Sequence, residues 1–402
     1  MLKIGIYFET SQKLGGAHQQ NLQLIQIFEK KLAEKFDITY IVPDKNFEKF
    51  FKSTKTRVTI FKTNLIYRVE LFLFKFQFFR EIYKKLKLTN KFEKYLLQKN
   101  FDLILFNSPS EVSILLNKLN FVIMLLSMQH RTHGYFPEYK GNHDNDIRDI
   151  IIDNAVKKSF KIFVGALKDK LLLEKFYNLK TDKAIVQPYA FTLPKLFEKN
   201  KDSDFKEIYN KLKLPEGKDI FFYPAQFWAH KNHKYLIDVA EKLEEQKLDK
   251  IHFVFCGYDK GNKKYIDSLI SKKKIDNFFT ILNFIDDKSL ISLYLNCFGV
   301  VMPSFVGHTT IPMYESFYFR KNIFYTKDLC DNSVKNYLTE INIKDPNSFI
   351  EEYKKIISNE ELNKKKLDEA KLFIDNLNID ETIGENFLKT FKDYEFLSSS
   401  WK

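Results

Sequence analysis

Asp219-Ile-Phe-Phe-Tyr-Pro-Ala-Gln-Phe-Trp-Ala-His-Lys-Asn-His233 opens a block of this chain whose punctuation reads as half of an α/β sheet. A short apolar strand over 219–223 runs into a loop that carries Gln226, Lys231 and two histidines, His230 and His233. After a helix-length interval comes a second buried strand, Ile251-His-Phe-Val-Phe-Cys256, stopped by Gly257. The block closes with Val300-Val-Met-Pro-Ser-Phe-Val-Gly-His-Thr-Thr-Ile-Pro-Met-Tyr-Glu315, a strand that passes through a small polar loop into a helix. A lysine at the C-terminal edge of a parallel sheet is well placed to neutralise a diphosphate. The loop of Gly307, Thr309 and Thr310 is small enough for backbone amides to approach a ligand, and Pro312 suits a helix start. Glu315 admits two readings: a carboxylate that grips ribose hydroxyls, or a first-turn residue that complements the helix dipole.

The same alternation continues in both directions. Downstream, helices are expected around 235–245, 264–272, 288–295 and after Pro312, with strands at 279–282 and 299–302. Upstream, strands are expected at 2–8, 37–42, 102–106, 121–126, 160–164 and about 184–188. Between the first two, Leu24, Ile27, Phe28, Leu32 and Phe36 fall on one helical face. Residues 194–217 are polar and turn-rich, and the chain after about 345 is helical and charged. This pattern predicts an α/β protein of two Rossmann-like domains facing a cleft, covering 1–195 and 196–385. A helical tail, 386–402, is expected to pack back on the first domain.

At 402 residues the chain suits two domains, and 44% hydrophobic content is ample for two cores. The net charge of +13 comes mostly from dispersed lysines, which read first as a solvated face. The functional reading of that charge favours an anionic membrane surface, then anionic substrates. Nucleic acid is excluded as a partner, because no zinc finger, RNA-binding signature or recognition helix is legible. The 41 phenylalanines accompany heavy Lys, Ile and Asn use and are discounted as a functional signal. Three distant cysteines, Cys256, Cys297 and Cys330, read as free thiols of a reducing compartment. The first eight residues read as a strand and not as a signal peptide, and no uncharged run reaches membrane-spanning length, so a cytoplasmic location is expected.

Three further features stay open at this level. Gly15-Gly16 follows a strand and precedes a helix, which makes either an anion site on helix amides or a plain tight turn. His230/His233 and His130/His133 repeat a His-x-x-His spacing, but neither pair has the cysteines or carboxylates a metal site requires, and no metal or cofactor is expected. The stretch Leu71-Phe-Leu-Phe-Lys-Phe-Gln-Phe-Phe-Arg80, with Lys84, Lys85 and Lys87 behind it, is either a membrane-surface segment or a buried helix.

Taken in order, Tyr-Pro-Ala-Gln-Phe-Trp-x-His-Lys-Asn-His, Phe-Cys-Gly and Pro-Ser-Phe-x-Gly-x-Thr-x-Ile-Pro-x-x-Glu resemble the retaining GT-B glycosyltransferases of family 4, in particular the bacterial branch that builds surface polysaccharides. Gly15-Gly16 resembles that family's N-terminal glycine loop, and Gln129-His130-Arg131 with Tyr135-Phe136-Pro137-Glu138 resembles its acceptor-side segment. The resemblance implies sugar transfer from a GDP- or UDP-linked donor to a glycan acceptor, lipid-linked, with retention and without a metal. It implies Lys231 on the donor diphosphate, Glu315 on the ribose, and Gly15 and Gly16 near the phosphates. Gln226, Gly307, Thr309 and Thr310 would line the donor pocket, and His130 would stand on the acceptor side. It also implies a cytoplasmic enzyme in peripheral contact with the inner membrane. The chain departs from the family pattern at Gly307 (usually glutamate), Gln226 (usually arginine) and Leu126-Ser127 (usually His-Asp). The polysaccharide branch often has glycine at the first of these; the departures at Gln226, Leu126 and Ser127 support an alternative, a weakened sugar-nucleotide-binding subunit of a glycan assembly complex.

Overall fold

The computed structural model describes residues 1–9, 16–44, 51, 55–125, 127–140, 144–179 and 182–401. The chain forms two compact units, one of residues 1–134, 141–191 and 379–402, the other of residues 135–140 and 192–378.

The first unit is built on seven parallel strands: β1 (Lys3–Tyr7), β2 (Asp37–Val42), β3 (Arg57–Ile60), β4 (Leu103–Phe106), β5 (Asn120–Leu125), β6 (Ile162–Val164) and β7 (Ala184–Val186). They lie in the order β3-β2-β1-β4-β5-β6-β7. Because strands such as β4 are buried on both faces, they read as unbroken apolar runs. The helix Gly16–Lys31 covers one face together with the C-terminal helix Ile379–Ser398. Rings of that last helix enter the core directly, Phe387 against Phe28 (5.1 Å) and Phe163 (4.7 Å), and Phe391 against Phe36 (5.5 Å). Gln23 Nε2 donates to Asp380 (2.6 Å), and the Tyr394 hydroxyl donates to the Asp102 carbonyl (3.0 Å). The returning tail therefore starts at Ile379, where a boundary at 386 is expected, and the second unit ends at 378 instead of 385.

The second unit carries β8 (Asp219–Pro224), β9 (Ile251–Cys256), β10 (Phe279–Leu282), β11 (Gly299–Met302), β12 (Asn322–Thr326) and β13 (Thr339–Ile341), all parallel, in the order β10-β9-β8-β11-β12-β13. Phe221 on β8 packs against Phe324 (5.1 Å) and Phe349 (4.8 Å), so part of the phenylalanine surplus is core. Rings buried to this degree stabilise by about 1.5–3 kcal/mol each.

Two further expectations need correction. Strands β3, β12 and β13 are not anticipated from the sequence: β3 is a half-exposed edge, and β13 has only three residues. The 71–87 stretch is not a buried helix. It forms two helices, Leu65–Leu73 and Gln77–Lys85, of which only Tyr67 is buried. The three cysteines are free, with Cys256 half-buried and the other two buried.

Gly257, just past β9, is required for a close approach. A Cβ there would lie 2.3 Å from the Ala225 carbonyl oxygen and 2.8 Å from Gln226 Cα, and both are backbone atoms that cannot swing aside. Gly257→Ala is expected to cost about 1–3 kcal/mol, the usual range for overpacking. Chemical denaturation measures it, and an unchanged midpoint would show that the loop after β8 yields freely.

Candidate functional site

Beyond β8 the chain builds β9 and β10 on one side of the sheet; it then crosses to build β11, β12 and β13 on the other. The loops leaving β8 and β11 therefore diverge at the C-terminal ends of two adjacent strands, the position where open α/β sheets bind ligands. Lys231 and Gln226 lie on the first loop, Gly307, Thr309 and Thr310 on the second, and Glu315 on the helix Ile311–Tyr318 that follows. The two loops hold each other. The Tyr223 hydroxyl donates to the Lys231 carbonyl (2.6 Å) and lies 3.1 Å from the Ser304 hydroxyl. Asn232, at a left-handed φ of 56°, donates from Nδ2 to the Pro303 carbonyl (3.0 Å). The Phe305 N–H donates to the His230 carbonyl (3.0 Å).

Lys231 is partly buried, and desolvation pushes its ammonium down from 10.5 to about 8, against the pull of the Glu138 charge. Glu138 is a site residue with a place the sequence does not show. It is expected on the acceptor side of the first domain, yet residues 135–140 belong to the second unit. Its carboxylate oxygen accepts from the His230 N–H (2.9 Å) and pairs with His230 Nδ1, with both side chains largely buried. Tyr139 stacks over the His230 ring (5.9 Å), and Phe136 packs on Phe305 (5.3 Å). Gln226 Oε1 accepts from the Trp228 indole (3.1 Å).

Glu315 is buried, and the Tyr294 hydroxyl donates to its Oε2 (2.6 Å). Burial pushes its carboxyl up from 4.5 to about 7; the Tyr294 bond opposes this and Asp287 adds to it. Of the two readings open for Glu315, the helix-dipole one fails. The helix begins at Ile311, with Pro312 second, which places Glu315 in the second turn. Gly307 has φ of 118°, and its carbonyl accepts from the Tyr325 hydroxyl (2.5 Å). A side chain there would be strained. That is a local reason for glycine at this position. Thr309 is buried; Thr310 occupies the N-cap position without a side-chain capping bond, and its hydroxyl donates to Met302 Sδ (3.5 Å).

The two histidines of the His-x-x-His spacing part company. His230 turns to Glu138, whereas His233 is buried and stacks on Phe227 (4.4 Å), with burial holding it neutral down to about pH 3.

In the first unit, His130 lies on the short helix Gln129–Thr132 and is buried. Its Nε2 is 2.8 Å from Asp149 Oδ1, which also accepts from Arg131 Nε (2.7 Å). Desolvation lowers the His130 pKa despite Asp149. Gly15 and Leu126 lie outside the described residues, and Gly16 opens the helix Gly16–Lys31. The sequence reading missed a carboxylate at this sheet's own switch point, between β1 and β4. Glu9 follows β1, and burial pushes it up to about 7, with Ser110 and Glu111 beyond β4 as its neighbours. Its position two residues past a buried strand is the signal that could have found it.

Residues 204–372 match the family described as glycosyl transferases group 1. No curated protein sequence matches the chain. Among solved structures, HepE of Anabaena in complex with UDP-glucose is similar over 98% of this chain and 100% of its own, with a TM-score of 0.72 at 12% identity. Sucrose-phosphate synthase of Thermosynechococcus elongatus is similar over 100% of both chains, with a TM-score of 0.70 at 14% identity. WaaG, a glycosyltransferase involved in lipopolysaccharide biosynthesis, is similar over 98% of this chain and 99% of its own, with a TM-score of 0.65 at 13% identity. The fold is GT-B.

Glu315 sets a stability trend. Its folded pKa of about 7 lies above the unfolded 4.5, so its contribution is fully present below 4.5 and is lost as pH climbs through 7. Glu315→Gln is therefore expected to raise the melting temperature of the ligand-free protein at about pH 8 and to leave it unchanged near pH 4.5. A lower melting temperature of the variant at the higher pH would contradict this electrostatic account.

Proposed function

We propose that the chain is a glycosyltransferase that moves a sugar from a nucleoside-diphosphate donor to a glycan acceptor with retention of configuration. The observation that carries this reading is that the loop bearing Lys231 and the loop leading from Pro303 to Thr310 are hydrogen-bonded together at the C-terminal ends of the adjacent strands β8 and β11, inside the matched 204–372 region. Lys231 would stabilise the diphosphate as the bond from the sugar's anomeric carbon to phosphate oxygen breaks. Preorganised charge of this kind is often the largest catalytic term. Amides of the 307–310 loop would add donors to the same leaving group, and Glu315 would take a ribose hydroxyl. The acceptor hydroxyl forms the new glycosidic bond, and its proton goes to the departing diphosphate or to solvent. No metal or cofactor is needed for these steps.

HepE's UDP-glucose favours a UDP-linked sugar as the first donor to test, with a GDP-linked one next. WaaG's place in lipopolysaccharide biosynthesis favours a lipid-linked acceptor and a role in surface polysaccharide assembly. Among the described residues no helix is long and apolar enough to cross a membrane, so work on such an acceptor calls for peripheral contact with the cytoplasmic face.

One observation favours the alternative of a binding subunit with weak or no turnover. His130, the residue expected at the acceptor side, is buried and engaged with Asp149.

A thermal-shift screen with UDP, GDP and their sugars tests the binding half of the reading. Stabilisation by a nucleoside diphosphate is expected, falling at least tenfold in affinity in Lys231→Ala, which corresponds to about 1.4 kcal/mol or more. No shift across the panel would sink the reading. Binding without transfer to any glycan acceptor would leave the binding-subunit alternative standing. Product NMR showing an inverted anomeric centre would overturn retention alone.

A further inference from the structure

Outside the candidate site, the first unit displays an apolar surface that its own core does not use. In the helix Leu65–Leu73 and the turn after it, Leu65, Val69, Phe72 and Phe76 recur at helical spacing, and all four face solvent, as does Ile66. Leu65 is 76% exposed, Phe72 57% and Phe78 69%. Phe72 and Phe76 touch (5.5 Å), and Phe79 joins them to Phe78 (6.5 and 5.6 Å), so the rings form one continuous cluster. Leu86 and Leu88, also exposed, extend the apolar surface along the chain.

This hairpin is structured. Asn64 caps the first helix by accepting from the Tyr67 N–H (3.1 Å), Arg80 Nη1 donates to the Lys75 carbonyl (3.2 Å), and Lys75 ion-pairs with Glu111 (2.5 Å). Tyr67 and Phe74 belong to the core cluster that includes Phe61, Tyr67 packing on Phe61 (5.1 Å), while Phe74 also packs on Tyr83 (4.8 Å) and joins the two helices. A single exposed leucine is ordinary on a soluble protein, but a contiguous aromatic cluster on an ordered element marks an interaction surface.

The charges name the partner. Residues 65–88 hold six basic side chains against two acidic ones. Arg68, Lys84, Lys85 and Lys87 are exposed, and none forms an ion pair among the described residues. Protein–protein interfaces are depleted in lysine at their cores, and a second copy of this surface would bring like charges together. Aromatic and aliphatic side chains flanked by unpaired lysines instead match the interface of an anionic bilayer, where the rings sit at headgroup depth and the lysines meet phosphate.

We propose that the 65–88 hairpin is an interfacial anchor that seats the first unit on an anionic lipid surface. This deepens the lipid-linked-acceptor reading and takes its purpose from it, while its physics stands on the hairpin alone.

The test is flotation of the full chain with vesicles of phosphatidylcholine containing phosphatidylglycerol, and with pure phosphatidylcholine. Binding to the anionic vesicles is expected to exceed binding to the neutral ones at least tenfold. Phe72→Ser/Phe76→Ser/Phe78→Ser and Lys84→Gln/Lys85→Gln/Lys87→Gln are each expected to lower it at least tenfold, without loss of nucleotide-induced thermal stabilisation. High salt is expected to weaken the lysine contribution and to leave the aromatic one. Phe78→Trp gives a second readout: its added emission should shift to the blue on anionic vesicles. Absence of wild-type binding, or variants that bind as well as wild type, would overturn the proposal, as would a patch-dependent dimer in place of vesicle binding. Because nucleotide binding is measured on the same samples, failure of the anchor and failure of the sugar-transfer reading separate cleanly.

Discussion

Buried backbone groups at the C-terminal ends of β8 and β11 need partners, and the two loops leaving those strands supply them to each other. The Tyr223 hydroxyl on the Lys231 carbonyl and the Asn232 amide on the Pro303 carbonyl tie the loops into one piece. Leaving either carbonyl unpaired would cost about 1–3 kcal/mol. This mutual satisfaction fixes where Lys231 stands relative to the 307–310 loop, and the close passage at Gly257 fixes the first loop against β9.

Within that frame the charged groups are held under tension. Desolvation disfavours the ammonium of Lys231 and the carboxylate of Glu315 alike, driving their pKa values towards neutrality from opposite sides. Perturbed groups of this kind near a switch point are a recurrent property of ligand sites. An anionic ligand would restore to Lys231 the compensation that Glu138 alone does not fully provide. The first unit repeats the theme at its own switch point with Glu9, raised to about 7.

The parts of this architecture that were legible in the sequence are those marked by backbone chemistry. Prolines and glycines at 224, 257, 303, 307 and 312 delimit the loops of the second unit, so the order of strands 219–224, 251–256 and 299–302 could be read directly. Glu138 was not legible in its true place. Residues 135–140 leave the first unit and return within six positions, and no periodicity reports which core they join. Glu315 was placed one turn too early because nothing in Thr309-Thr310-Ile311 distinguishes the cap from the residue before it. The stretch 71–87 stays open between two readings in the sequence for the opposite reason. Its apolar periodicity is real, but periodicity cannot say whether the stripe faces a core or solvent. The edge strand β3 and the short β13 carry too few apolar positions to stand out.

The central claim is that Lys231 receives a nucleoside diphosphate. Proton linkage on binding tests it most directly, by titration calorimetry of UDP and GDP in buffers of different ionisation enthalpy. At about pH 8.5 the free lysine is largely neutral, and binding a diphosphate should charge it, so an uptake of about half a proton or more is expected. That uptake should vanish in Lys231→Met. Binding without uptake, or uptake unchanged in Lys231→Met, would contradict the account.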